Sequence, residues 1–444
     1  MSKVNKRYIV AAHHFRGNKG NKFKDKIIFV ESVNGEKKFK VVKTPTIDFF
    51  VDKEIDYDAN ERMYVTKDSV KPASAPYNKV VERIAVLTEN EEFLQQCIDN
   101  RDWQSKKLLH QDPAVHQSDT HIEDFYIGKY QDHYVDEFDT SPTIHKAYWD
   151  IENDTIDLDN ALSADESVSP IDAVSVYSDL NNTMYTFLLR TEGNPLIPEF
   201  EKRVDKMIKK AIKRFDLDDC EITFYDNELD LLIAYFNKIN NDLRPDIISA
   251  WNAEYDFKTS FNRIEKLSGA HPANIMCPKE FPYKEAYYYK DERNHDPALK
   301  GDYMKVASYS NYADQMLVFA ALRATMGKRP SYSLDAILEE EVGTKKDELP
   351  EGVTMRTFSR SDYEKYVFYN MKDVYGLHEL ESQNKDLSLL FQISSITRTR
   401  VHKAWKKTTS LRNLASKFML DNGYVMSNNH NVNKEKDDSK FKGA

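Results

Sequence analysis

From Ser141 onward the apolar residues fall into short strand-like runs and then into helical periods, and this order limits the fold more than any other feature of the chain. Ile144 to Ile151 (IHKAYWDI), Ile171 to Val176 (IDAVSV) and Met184 to Leu189 (MYTFLL) read as strands, the last two joined through a turn at Asp179 to Asn182. Ile222 to Tyr225 is a further short strand. Asn227 to Ile239 places Leu229, Leu232, Ile233, Phe236 and Ile239 at helical spacing. Pro245 to Trp251 (PDIISAW) is a buried-type strand, and Asp256 to Leu267 and Ser361 to Leu380 are amphipathic helices. Strands, a helix, a strand and then helices predict an α/β layer structure.

The N-terminal part is less regular. KIIFVESV and KKFKVVK, within Lys26 to Val51, predict strands around an Asn34-Gly35 hairpin turn. Glu91 to Ile98 reads as a short helix, and Pro113 to Thr140 as an irregular connection. The histidines of that connection match no zinc spacing. No internal repeat or strong linker interrupts the chain.

With 444 residues, the chain has room for two or three domains. It is 40% hydrophobic and 31% charged, a globular balance. No apolar run approaches the length of a membrane span, and MSKVNKRYIVAAHHF has no secretory pattern. Cys97, Cys220 and Cys277 form no metal-ligand spacing; they suggest a reducing compartment and buried filler. The net charge of −10 gives nucleic-acid binding no bulk support, although a local basic groove or metal ions at carboxylates reverse the sign locally. The motifs must therefore decide.

Asp150-Ile-Glu152 closes the first strand of the layer. Strand side chains alternate, so both carboxylates point to one face and reach one metal site. The spacing alone is weak, because Asp52-Lys53-Glu54, Asp226-Asn227-Glu228 and Asp362-Tyr363-Glu364 share it. Asp150 differs by ending an apolar strand, where a carboxylate pair is costly without a cation. Asp256, in Asn252-Ala-Glu-Tyr255-Asp256, would stand at a helix start, and an ordinary N-cap or first-turn acid accounts for it equally well. Tyr369 and Asp373 lie four apart on one helix face. A packed tyrosine beside a solvated aspartate accounts for that pair.

Taken together, the three segments resemble the exonuclease motifs of family B DNA polymerases: D-x-E, then N-x(2 or 3)-[FY]-D, then Y-x-x-x-D. Pro245-Asp-Ile-Ile-Ser-Ala-Trp-Asn252, Ser331-Tyr-Ser-Leu334, Gly343-Thr-Lys-Lys346 and Asp172-Ala-Val-Ser are similar to flanking segments of that family. The resemblance is to polymerases of T-even-type bacteriophages, and it is strong over about 141–385. It implies an RNase H-like (DEDDy) exonuclease domain with a mixed β-sheet at 146–385, inserted in an α+β N-terminal domain at 1–145. Residues 386–444 would return as helices to the N-terminal domain and lead toward a palm.

The resemblance further implies a metal-dependent 3′→5′ proofreading exonuclease. Asp150, Glu152, Asp256 and Asp373 would hold two divalent cations, Mg²⁺ or Mn²⁺, which are hard ions suited to oxygen ligands. Tyr369 would orient the attacking water. Asn252 and Tyr255 would position the single-stranded 3′ end. Tyr288, within Tyr287-Tyr-Tyr289 of the segment Phe281 to Tyr303, would lie on a hairpin where primer and template separate, its ring stacking on unpaired bases. Tyrosines covering the domain's own sheet are the alternative.

Residues 388–420 contain no Asp or Glu and carry Arg398, Arg400, Lys403, Lys406, Lys407, Arg412 and Lys417. Such a stretch would track a phosphate backbone, with Arg398 and Lys406 on primer-template DNA; a solvated helix face, or a seam against an acidic surface, accounts for it equally well. The last residues, Ser439-Lys-Phe-Lys-Gly-Ala444, are similar to the family's lead-in to the palm, whose D-x-x-S-L-Y-P-S and Y-G-D-T-D motifs do not occur here. The resulting expectation is the first chain of a split or interrupted polymerase, or a fragment of one; in the former case a second polypeptide carries palm, fingers and thumb, a sliding clamp is reached through it, and the work is in the cytoplasm of an infected bacterial host. A non-catalytic template-binding and assembly module is the competing expectation.

Overall fold

The structure is a computed structural model and describes residues 6–15, 25–43, 45–52, 66–68, 74–75, 79–87, 115–117, 120–156, 163–344 and 351–426. The helix expected at Glu91 to Ile98 and the chain end from Ser439 lie outside the described residues. The chain divides into two compact units. One comprises Met1–Ala11, Val30–Lys38 and Asp139–Ile393; the other comprises Ala12–Phe29, Phe39–Phe138 and Ser394–Ala444.

A six-stranded mixed sheet organises the first unit. Its strands are β1 (Lys146–Asn153), β2 (Ile171–Ser178), β3 (Thr183–Leu189), β4 (Asp219–Tyr225), β5 (Ile247–Ala250) and β6 (Asn311–Asp314), in the spatial order β4-β3-β2-β1-β5-β6. β1, β2 and β3 run antiparallel in succession, while β4, β5 and β6 join their neighbours in parallel. β2 and β3 are buried along their whole length, polar residues such as Asp172, Ser175 and Thr186 included.

Four helices matter for the site: α1 (Glu228–Asn237), α2 (Glu254–Ser268), α3 (Gln315–Leu322) and α4 (Tyr363–Asn384). α4 packs on β1 and β2 and buries Tyr366, Val367, Tyr369, Asn370, Met371 and Val374. On the α1 side, Trp149 stacks on Tyr235 with ring centroids 5.5 Å apart. Trp149, Tyr148, Tyr235, Phe257 and Phe319 are among the largest fully buried side chains.

The helix expected from Ser361 to Leu380 forms as α4, starting two residues later, and a separate helix absent from the sequence reading, Met355–Ser361, precedes it across Asp362. Asp362 has an extended φ of −151°, and its side chain accepts the Lys365 N–H, so it starts a new helix instead of continuing the old one. The connection Pro113 to Thr140 contains a helix, Ile122–His133, in the second unit. That helix buries Glu123, Asp124 and Gln131, which erases its apolar periodicity. Arg400 accounts for the burial: its guanidinium stands 3.0 Å from Asp124 and 3.4 Å from Glu123.

The Asn34-Gly35 turn forms as expected between the strands Lys26–Val33 and Glu36–Lys43, with φ of 53° and 86°. Both described cysteines are free and buried, and burial pushes the Cys220 and Cys277 thiols up to about 12. Among the described residues no helix is long and apolar enough to cross a membrane.

Candidate active site

The site forms where the C-terminal half of β1 meets α2 and α4. In the β1–β2 register Asp150 lies opposite Ser175 and Glu152 opposite Ala173, two steps apart on one face. α4 brings Asp373 to the same place. Asp150, Glu152 and Asp373 are each half-buried and each offers a carboxylate oxygen within 4.8 Å of the others, a group that could hold a metal ion.

Asp256 stands beside this trio. It sits in the first turn of α2, 4% exposed. Burial first, and then the negative charge of Asp150, drive its carboxyl well above the usual carboxylate range. Backbone N–H groups of Asp256 itself and of Ile151 oppose that rise. The fourth carboxylate is thus close enough to Asp150 to feel its charge, and it is more deeply enclosed than the other three.

Tyr369 lies one helical turn before Asp373. It is buried and meets Phe358 edge-on at 5.8 Å. Asn252 leaves β5 in the left-handed region, φ 54°, and its carbonyl accepts the Tyr255 N–H at 3.3 Å. The Tyr255 hydroxyl donates to Asn153 Oδ1 at 2.9 Å, which ties the start of α2 to the end of β1. Burial and the nearby Asp256 hold the Tyr255 phenol above its ordinary pKa, so it stays neutral.

Three further groups serve the site and carry no signal in the sequence reading. Asn370 Nδ2 donates to Asp150 Oδ2 at 2.8 Å. Asp314, at the end of β6, accepts the Ala253 N–H at 2.9 Å and the Leu317 N–H at 3.2 Å, so one buried carboxylate fixes the starts of α2 and α3. Burial pushes Asp314 up to about 6 against those bonds. Tyr366 donates to Asp172, which occupies a bulge in the β1–β2 pairing. Apart from the Asp314–Leu317 cap, which is local, these partners are distant in sequence, so no local spacing announces them.

The DNA-contact expectations fall elsewhere. Ala286–Tyr289 pairs antiparallel with Tyr303–Val306 as a two-stranded ribbon. Tyr288 is its inward member, half-buried, with its hydroxyl 3.3 Å from Asp302 and its ring 6.1 Å from Phe257. Tyr287 and Tyr289 alternate outward, and Tyr289 stacks on Tyr303 at 5.0 Å. Arg398 and Lys406 belong to the second unit. Arg398 is ion-paired with Asp132 at 2.7 Å, and the Lys406 ammonium lies 5.4 Å from the Trp405 ring centroid.

No family model matches the chain. The DNA-directed DNA polymerase of Escherichia phage RB69 is 22% identical over 292 residues, which cover 64% of this chain and 30% of that protein. The DNA-directed DNA polymerase of Enterobacteria phage T4 is 23% identical over 233 residues, covering 50% of this chain and 24% of that protein. The chain therefore spans less than a third of the length of these relatives. The two matches mark the chain as similar to a region of T-even-type phage DNA polymerases of family B, and the mixed α/β unit with its clustered carboxylate trio is compatible with that likeness.

Proposed function

We propose that this chain is a metal-dependent 3′→5′ exodeoxyribonuclease with a proofreading role, its 146–385 segment an RNase H-like domain inserted in an N-terminal domain. The observation that carries the reading is the convergence of Asp150, Glu152 and Asp373 within 4.8 Å, with the buried Asp256 near enough to Asp150 to feel its charge. The residues fit a pair of hard divalent cations such as Mg²⁺ or Mn²⁺. Every donor is a carboxylate oxygen, and burial, with the charge of Asp150 second, raises the Asp256 carboxyl, a cost that bound positive charge would relieve. When bound, such cations supply an activated water and offset charge on the phosphate and on the leaving 3′ oxygen.

The chain's own groups do the rest. Asp150, Glu152, Asp256 and Asp373 hold the ions, and Tyr369 orients the attacking water from the helix turn that also presents Asp373. Asn252 shapes the turn at the site's edge, and the neutral Tyr255 hydroxyl braces it through Asn153. The substrate is the single-stranded 3′ end of DNA. Synthesis would come from palm, fingers and thumb elements on a second polypeptide, with a sliding clamp reached through it.

With Mg²⁺ or Mn²⁺ the chain is expected to release mononucleotides from the 3′ end of labelled single-stranded DNA. Asp150→Ala/Glu152→Ala is expected to lose several orders of magnitude in rate, because a carboxylate cluster acts as a unit. Wild-type activity in that double variant would refute the assignment. A wild type that binds DNA but never cleaves it would favour the assembly-module reading.

A further inference from the structure

We propose that Asn370 is a positioning residue that fixes the orientation of the Asp150 carboxylate for cation binding; this rests on the exonuclease reading above. Asn370 lies within α4, directly after Tyr369 and three residues before Asp373, and is 0% exposed. Its Nδ2 donates to Asp150 Oδ2 at 2.8 Å. Its Oδ1 is buried and has no hydrogen-bond partner among the described residues.

That half-satisfied amide is the informative feature. A buried acceptor without a partner destabilises the fold, and an apolar side chain of similar volume would avoid the penalty. The arrangement makes sense where the donor half is needed. An ionised carboxylate has about four lone-pair sites, so the bond to Asn370 takes up only part of the acceptor capacity of Asp150. The donor is also neutral. A lysine or arginine here would cancel the charge of Asp150 and compete with the metal, whereas an amide orients the group and leaves its charge intact.

The helix that carries Asn370 is itself held in register. One turn earlier, Tyr366 donates to Asp172 Oδ1 at 2.5 Å, and both side chains are buried. Tyr366, Asn370 and Asp373 follow at intervals of four and three residues, so one face of α4 binds β2, sets a carboxylate on β1, and supplies a carboxylate of its own. Asn370 thereby fixes the Asp150 oxygens relative to those of Asp373, and these two residues must agree in geometry if they are to share an ion.

The test is a Mn²⁺ titration of the full chain without DNA, followed by calorimetry or by electron paramagnetic resonance, for wild type, Asn370→Leu and Asn370→Ser. Both variants are expected to bind Mn²⁺ about 10- to 100-fold more weakly. Asn370→Leu is expected to melt, without metal, at or above the wild-type temperature, a combination that a purely structural role would not produce. Should Asn370→Leu fail to fold, Asn370→Ser carries the titration. Mn²⁺ affinity within about twofold of wild type in a folded variant would overturn this inference and leave the exonuclease reading standing. A wild type that takes up no Mn²⁺ would overturn both.

Discussion

Tyr366 donates its hydroxyl to Asp172 Oδ1 at 2.5 Å inside the layer between α4 and β2, and burial pushes the Asp172 carboxyl up to about 8. The bond from Tyr366 opposes the rise without cancelling it. A carboxyl whose folded pKa is raised contributes stability that is complete below its unfolded pKa and lost as pH rises through the folded value. The metal-free chain is therefore expected to lose stability between about pH 4 and pH 8. Asp172→Asn keeps an acceptor for Tyr366 and has no proton to lose. Its advantage over wild type is expected to grow across that window toward an upper bound on the order of 5 kcal/mol. Urea denaturation in EDTA at pH 5 and pH 8 measures it; equal advantage at both pH values would show that Asp172 does not titrate in this range.

Asp256 couples the same physics to the metal. Its carboxyl is raised well above the usual range by burial and then by Asp150, so in the metal-free protein it too erodes stability as pH rises. Asp256→Asn is expected to be more stable than wild type in EDTA at pH 8, and inactive as a nuclease. With Mn²⁺ the order narrows. At about 100 times the dissociation constant, wild type gains about 2.7 kcal/mol, and the variant less because a ligand is gone. Thermal melts with and without Mn²⁺ compare the two gains.

What the sequence shows and what it hides separate along one physical line. Asp150 and Glu152 are legible because strand alternation is local, and Tyr369 with Asp373 because helix spacing is local. The strand that holds Asp172 is legible, but the residue's role hides because its partner, Tyr366, is 194 residues away. Asn370 and Asp314 hide because their roles exist only once α4 lies across β1 and β6 lies beside β5. The helix Ile122–His133 hides for a similar reason: it buries acids whose partner, Arg400, is 276 residues away from Asp124.

Gly376 tests how tightly α4 is held. A Cβ there would stand 2.6 Å from Leu338 Cδ1, and Leu338 packs in a buried cluster with Phe319, Ile337 and Leu380. Alanine would gain about 1 kcal/mol of helix propensity. Overpacking costs about 1–3 kcal/mol, and the cluster gives Leu338 little room to turn away. Gly376→Ala is expected to lower stability modestly, and Gly376→Val more, with exonuclease rate falling in step because Asp373 lies one turn back on the same helix. Melting curves paired with single-turnover rates check this; a stabilised Gly376→Ala would mean that Leu338 swings aside at little cost.

The acid-free stretch of 388–420 divides by pairing, and that division predicts which cations meet DNA. The Arg400 side chain is 13% exposed and faces Asp124 and Glu123, which are 2% and 4% exposed. Removing one partner of such a buried group leaves an uncompensated charge, so Arg400→Met is expected to cost about 3–5 kcal/mol. Arg398 pairs with Asp132, whose side chain is 51% exposed, and Arg398→Ala is expected to cost at most about 1 kcal/mol. Cations engaged with carboxylates release few counterions from DNA, whereas Lys406, over the Trp405 ring, and the exposed Lys407 stand differently. Each phosphate contact on a single strand contributes about 0.7 to the slope of log affinity against log salt. Lys406→Ala and Lys407→Ala are each expected to lower that slope by about 0.7, while Arg398→Ala leaves it unchanged. Fluorescence anisotropy with single-stranded DNA across a salt series, with EDTA present to suppress cleavage, reads the slopes directly. A drop for Arg398→Ala equal to that for Lys406→Ala would return Arg398 to the DNA-contact role that its sequence context suggests.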